Sequence, residues 1–333
     1  MRGQVTRVLR HARAVAGDRD KLVARTRDTL AKCGFYVSNP HNLRSISFDL
    51  VARRDRQLVV LKALCNIDSL SPEDADELKV MASMLGASPM VIGMHSSSAD
   101  LEDGILYTRF GIPIVSEGTF SDFMLEGVPP LVYAAPGGLY VRLDGDMLKE
   151  LRQARVISLG ALAEAVGVSR KAIQMYETGM GAMVDIAGRI EEFLDAPLVV
   201  PLAPFAYASE VADHFKDLER FKGENKDIFE MLSEIGYSVV PTKKAPFEAF
   251  AKEEELLLLT GIGEDPQMTE RKARVVGNLS RVTERKSVII VQRKTSAEEI
   301  EGTPLVTKDE LRKADHADDF MELVLRRERR RAP

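Results

Sequence analysis

Three polar side chains, Arg170, Lys171 and Gln174, stand close together behind a serine in the stretch "GVSRKAIQMYETG", which runs from Gly167 to Gly179. An arginine can pair bidentately with guanine and a glutamine with adenine, while either cation can meet a phosphate. This is the chemistry of recognition, in which no bond is made or broken. To reach the edges of bases in a major groove, such a set must sit near the N-terminal end of a helix. That end also favours phosphate.

The elements needed to hold them there can be read from the neighbouring residues. In "LGALAEAVGVSRKAIQMY", Leu159 to Tyr176, the apolar set Leu162, Val166, Val168, Ile173 and Tyr176 predicts two helices packed face to face. Ala163 is the small residue of their close approach, and Gly167 supplies the φ > 0 of a tight turn. Ser158 and Ser169 stand where N-caps would open the two helices. Their hydroxyls would also meet backbone oxygens of a nucleic acid. The alternative is a helical hairpin with a solvated charged face. Upstream, "LVYAAPGGLYVRLDG" reads as a β-hairpin turning at Pro136-Gly137-Gly138, a packing support that could also serve as a wing or a dimer element.

With its flanks the segment resembles the Cro/repressor class of helix-turn-helix domains. Leu151-Arg152, Arg155, Ser158, Leu162-Ala163, Gly167-Val168-Ser169, Ile173, Tyr176-Glu177 and Gly179 all fit that pattern. The resemblance implies duplex DNA as ligand, with Arg152 and Arg155 as further phosphate contacts. One position departs from it. Members often carry a phosphate-contacting glutamine after the first cap serine, and this chain has Leu159.

The two outer segments repeat one another. "TRDTLAKCGFYVSNPHNLRSISFDLVARRDRQLVVLKAL" and "IFEMLSEIGYSVVPTKKAPFEAFAKEEELLLLTGI" each predict a helix ending at a glycine (Gly34, Gly236), an extended stretch, a strand beginning "FD" or "FE", a charged turn and an apolar strand. A helix, a strand ("SPMVIG", "KSVIIV") and a final strand with helix complete each module. The order resembles the restriction-endonuclease-like fold of Holliday-junction resolvases. In that family an Asp and a Glu-x-Lys hold magnesium and activate water. Mg²⁺ requires hard, negatively charged oxygen ligands. Here Asp49 and Lys62 match, but the Glu position is Val60; the second copy offers Glu248, Leu258 and Thr260. Both copies are therefore expected to be inactive platforms for dimerisation, DNA backbone contact or partner binding, with no catalytic or metal-binding residue.

The bulk properties agree with a soluble chain. Of 333 residues 45% are apolar and 29% charged, and the net charge is −5. No uncharged apolar run reaches a membrane span of about 18 residues, and the N-terminus lacks a signal-peptide core, so the cytoplasm is expected. Charge is uneven: residues 1–25 carry seven Lys/Arg against Asp18 and Asp20, and "VLRRERRRAP" carries five Arg against Glu328. Cys33 and Cys65 are expected reduced and buried, and the five histidines show no zinc spacing. Gly261-x-Gly263 lacks the third glycine of a phosphate loop. Met81, Met84, Met90 and Met94 are expected to fill core gaps.

The expected architecture is mixed α/β. An N-terminal degenerate nuclease-like module (1–126) is followed by the hairpin with the helix-turn-helix (127–205) and a second module (206–333). Over nearly its whole length this resembles a group of archaeal proteins assigned as helix-turn-helix transcriptional regulators. The resemblance implies regulation of transcription at a promoter or operator; the expected mechanism is a homodimer presenting two recognition helices, without a cofactor. The alternatives are a structure-specific nuclease, and a protein-interaction module that no longer binds DNA.

Overall fold

A computed structural model describes residues 2–39, 46–205, 225–292 and 297–329; the side chains of 2–16 and of 329 lie outside that description. Arg2, Arg7, Arg10 and Arg13 of the basic N-terminus, Arg329, Arg330 and Arg331 of the tail, and His11, His41 and His214 thus fall outside the described side chains.

Along the chain, the first third forms α1 (Arg2–Lys32), β1 (Tyr36–Val37), β2 (Leu50–Arg54), β3 (Gln57–Asn66), α2 (Pro72–Leu85), β4 (Ser88–His95), β5 (Ile105–Arg109), β6 (Ile112–Ser116) and α3 (Glu117–Ser121). The centre forms β7 (Val132–Ala135), β8 (Gly138–Leu143), α4 (Gly145–Ala154), α5 (Leu159–Val166), α6 (Arg170–Glu177), β9 (Ala182–Met183), α7 (Val184–Leu194) and β10 (Val199–Val200). The last third forms α8 (Lys226–Glu234), β11 (Ser238–Pro241), β12 (Ala249–Glu253), β13 (Leu256–Gly263), α9 (Pro266–Thr283), β14 (Lys286–Val291), β15 (Glu299–Ile300), β16 (Thr303–Thr307), α10 (Lys308–Leu311) and α11 (Ala317–Arg329).

The chain divides into two compact units, one of Met1–Leu22, Leu64–Leu70 and Met90–Tyr207, the other of Val23–Ala63, Ser71–Pro89 and Ala208–Pro333. In the first unit the strands run β4-β6-β5-β7-β8-β10, with β9 beside β8. Here β4 and β6 are parallel, while β7 and β8 form an antiparallel pair joined at Pro136-Gly137, with Ala135 opposite Gly138. In the second unit β1, β2 and β3 form an antiparallel ladder, and the last third builds its own sheet in the order β11-β12-β13-β14-β16-β15.

Sequence dictates the local choices. The run "LLLLTGIG" of β13 is buried over almost its whole length, as a strand covered on both faces must be. Gly261 and Gly263 lie on this strand and not in a loop. Ile228, Leu232, Leu258, Val288, Ile290, Val306 and Phe320 form the core between this sheet and helices α8 and α11. Each such side chain contributes about 1.5–3 kcal/mol relative to exposure. Met81 and Met90 are buried, Met84 and Met94 half-buried. Cys33 and Cys65 are not joined in a disulfide and are only half-buried, because each stands at the margin of its element.

The first and last thirds share backbone punctuation. Helices α2 and α9 both open on a capped proline turn, Ser71-Pro72 and Asp265-Pro266, and both close on a left-handed residue, Gly86 and Glu284. The turns before β3 and β13 place Asp55 and Glu254 at positive φ, and those before β6 and β16 do the same with Phe110-Gly111 and Glu301-Gly302. Asp49 donates its N–H to Leu61 and accepts through Oδ2 from Ala63 N–H, 14 residues on; Glu248 donates to Thr260 and accepts through Oε2 from Ile262 N–H, also 14 on.

Within the second unit these two halves hold each other reciprocally. From α2, Glu77 accepts the N–H groups of Lys243 and Lys244, and Asp74 pairs with the Lys244 ammonium at 2.7 Å. Ser47 N–H donates to Lys244 O. From α9, Asn278 Oδ1 accepts Asn39 N–H at 2.8 Å and Val282 O accepts Arg53 Nε at 2.9 Å, while Glu284 pairs with Arg53. The helix after the central strand of each half thus grips the other half, the pattern of an isologous contact.

Candidate nucleic-acid interface

The central helices are built as capped units. Ser158 opens α5 by accepting Ala161 N–H at 3.0 Å, and Ser169 opens α6 by accepting Ala172 N–H at 3.1 Å. Such caps satisfy amides that have no partner inside the helix and contribute about 1 kcal/mol each. Gly167 closes α5 at φ 75°, and Val168 N–H bonds back to Ala163 O, so α6 leaves at a sharp angle. Leu148, Leu162, Ala163, Val166, Ile173, Tyr176, Ile186, Ala187, Ile190 and Leu194 form one core that locks α4 to α7 together over β8.

Because Ile173 and Tyr176 face inward, Arg170, Lys171 and Gln174 face out, and all three are exposed. Ser158, Ser169 and Arg155 are exposed beside them. Arg170 makes no ion pair with another described residue, yet it is not loose in solvent. Its guanidinium lies on Gly160: a Cβ there would come within 2.7 Å of Nε and 2.8 Å of Nη2.

Arg152 is placed differently from the others. It is buried on α4, with Nε 2.5 Å from Glu177 Oε1, Nη2 3.2 Å from Oε2 and Nη1 donating to Ile157 O. This bidentate pair ties α4 to the end of α6 and fixes the turn before Ser158. Gly145 allows the same helices to meet, since a Cβ there would fall 2.7 Å from Glu177 O. Arg189 on α7 donates to Val166 O, satisfying a carbonyl at the end of α5. The turn after Arg155 holds Val156 at φ 56° and 93% exposed, an uncommon conformation for a β-branched residue.

Sequence reading overlooked Gly160, Gly145 and Val156. Gly160 carried a signal nonetheless, as a lone glycine inside a helical pattern usually has a packing reason.

The nuclease-like positions do not suit a divalent cation. Val60, in place of the acid, is fully buried on β3 opposite Val51. Lys62 lies on the same face, two residues on, and donates to Ile46 O. In the other half both Glu248 oxygens are engaged, one by Ile262 N–H and one by the Lys272 ammonium from α9. Leu258 and Thr260 are buried behind them, and Thr260 Oγ1 has no hydrogen-bond partner among the described residues. Each half offers one carboxylate already bonded to backbone, whereas the ion calls for several oxygen ligands. Among the described residues no three His, Cys, Asp or Glu side chains gather to hold a metal. No described helix is long and apolar enough to cross a membrane.

Two known families match the chain. Residues 19–130 match the PD-(D/E)XK superfamily domain, and residues 148–200 match a helix-turn-helix family. Among curated proteins, one from Methanocella arvoryzae is 38% identical over 318 residues, covering 94% of this chain and 98% of its own. One from Natronomonas pharaonis is 37% identical over 93% of this chain and 98% of its own, and one from Methanococcoides burtonii 39% identical over 94% and 98%. Each carries the name "Putative HTH-type transcriptional regulatory protein". No solved structure matches the chain.

Proposed function

The chain belongs to the archaeal family of HTH-type transcriptional regulatory proteins, and from that premise we propose that it regulates transcription by reading duplex DNA through residues 127–205. The observation that carries this reading is the joint exposure of Arg170, Lys171 and Gln174 at the start of α6, behind the Ser169 cap. A structural helix has no need of three unsatisfied polar groups aligned on one end. Ser158 and Ser169 hydroxyls and Arg155 meet backbone phosphates around the same groove. Arg152 acts one step back, by holding α4 to α6 through Glu177.

The chain works as a homodimer in this reading, placing two recognition helices about 34 Å apart on successive major-groove faces of a promoter or operator. The outer modules are copies of one ancestral module. Their shared turns, the matching bonds of Asp49 and Glu248 and their reciprocal grip support that descent. They serve as scaffold and carry no nuclease activity, since Val60 and Leu258 replace the metal-binding acid.

The test is to incubate the protein with fragmented DNA from its own source in the presence of Mg²⁺, and to sequence what is retained. Intact, two-fold-symmetric sites are expected. Cut ends abolished by Asp49→Ala would instead establish a nuclease. Intact DNA without enrichment would favour an interaction module.

A further inference from the structure

We propose that Gly160 is a seat for Arg170, and that Arg170 held there grips a DNA backbone phosphate and sets the register of α6, leaving base reading to Lys171 and Gln174. This rests on the DNA-reading function proposed above. The seat is visible in the distances. A Cβ on Gly160 would stand 2.7 Å from Arg170 Nε, 2.8 Å from Nη2 and 3.0 Å from Cζ. Both nitrogens lie nearer than Cζ, so the Nε–Nη2 edge of the guanidinium is turned towards Gly160. Any other residue at 160 would push it away.

Glycine inside a helix costs roughly 0.5–1 kcal/mol relative to alanine, and Gly160 does not sit at positive φ, so no backbone demand calls for glycine there. Room for the guanidinium supplies the reason. Arg170 is the first residue of α6, and Gly160 the second of α5. An arginine folded back from the first onto the second is drawn towards the rim of the recognition helix. A planar guanidinium placed there, with donors beyond those turned to Gly160, suits phosphate contact. Lys171 and Gln174, not seated on another helix, keep free side chains for base edges.

The experiment measures affinity for the duplex most enriched by the wild-type protein, and for its single base-pair variants, at two salt concentrations. Arg170→Ala should weaken all these duplexes alike, by about tenfold, as expected for one charged hydrogen-bonding group. It should also lower the salt slope by about one per chain bound. Gly160→Ala should weaken binding in the same uniform way while its thermal midpoint stays at or above wild type, because alanine favours the helix. The double variant should bind no worse than Arg170→Ala alone. Relaxed discrimination at one base pair in Arg170→Ala would make it a base reader and overturn the proposal. So would an unchanged Gly160→Ala affinity, or losses that multiply in the double variant. A wild-type protein that enriches no duplex at all would overturn the DNA-reading premise itself, a result distinct from either.

Discussion

At the scale of single residues, two side chains of the central domain do work that their types conceal. Arg152 looked like a phosphate contact by its place in a family pattern, but its guanidinium is committed to Glu177 and Ile157 O. Both members of the pair are nearly buried, with side-chain exposures of 10% and 7%. Removing one partner strands the other, so Arg152→Ala should cost about 3 kcal/mol of stability in denaturant unfolding. Its loss of DNA binding should follow the unfolded fraction, whereas a direct phosphate contact would weaken the folded protein. Val156 sits in the left-handed region at φ 56°. That region costs an L-residue roughly 1–2 kcal/mol and is tolerated best by Gly and Asn. Val156→Asn should therefore stabilise the chain by about 1 kcal/mol, seen as a higher denaturant midpoint at unchanged slope. Neither fact could be read in sequence. Burial of Arg152 depends on Glu177, 25 residues away, and the φ of Val156 on the angle between α4 and α5.

At the scale of elements, what was readable was local. The serine caps, the Gly167 turn and the period of Leu162, Val166, Ile173 and Tyr176 lie within 19 residues, and each is realised in the structure. What was hidden joins residues far apart, above all the mutual grip of α2 and α9. Burial pushes the Asp74 carboxyl up, but its hydrogen bond from Lys244 and the charges of Lys62 and Lys244 outweigh this and hold it below the ordinary 3.8. A lowered folded value means that the pair stabilises fully above the unfolded value and loses its effect as pH falls through the folded one. Glu310 follows the same sign. Burial raises it, yet Arg327 and the Thr307 cap bring it from 4.5 to about 2. Stability of the second unit should thus fall between pH 4.5 and about 2, and Glu310→Gln should flatten that loss in acid titrations followed by circular dichroism. A double-mutant cycle on Asp74→Asn and Lys244→Met should give a coupling of roughly 0.5–1 kcal/mol at neutral pH, since both groups remain partly exposed. No coupling would mean that the two halves are not held together through that pair.

At the scale of the whole molecule, charge sets how DNA can be bound. Residues 127–205 hold seven Lys/Arg against nine Asp/Glu, a net of −2, so this segment carries no excess of positive charge. Binding must depend on few cations. Two of the seven, Arg152 and Arg189, are paired within the fold. With Arg155 and Arg170 each meeting one phosphate in both chains of a dimer, the logarithmic salt slope should be about −4. A slope near −10 would require cations beyond the helix-turn-helix. The central claim is that α6 reads sequence, and the most direct measurement is the DNA selection run in parallel on the wild type and on a Lys171→Ala, Gln174→Ala double variant of equal thermal midpoint. Discrete sites enriched by the wild type and lost by the variant are expected. The same sites enriched by both proteins would contradict the claim.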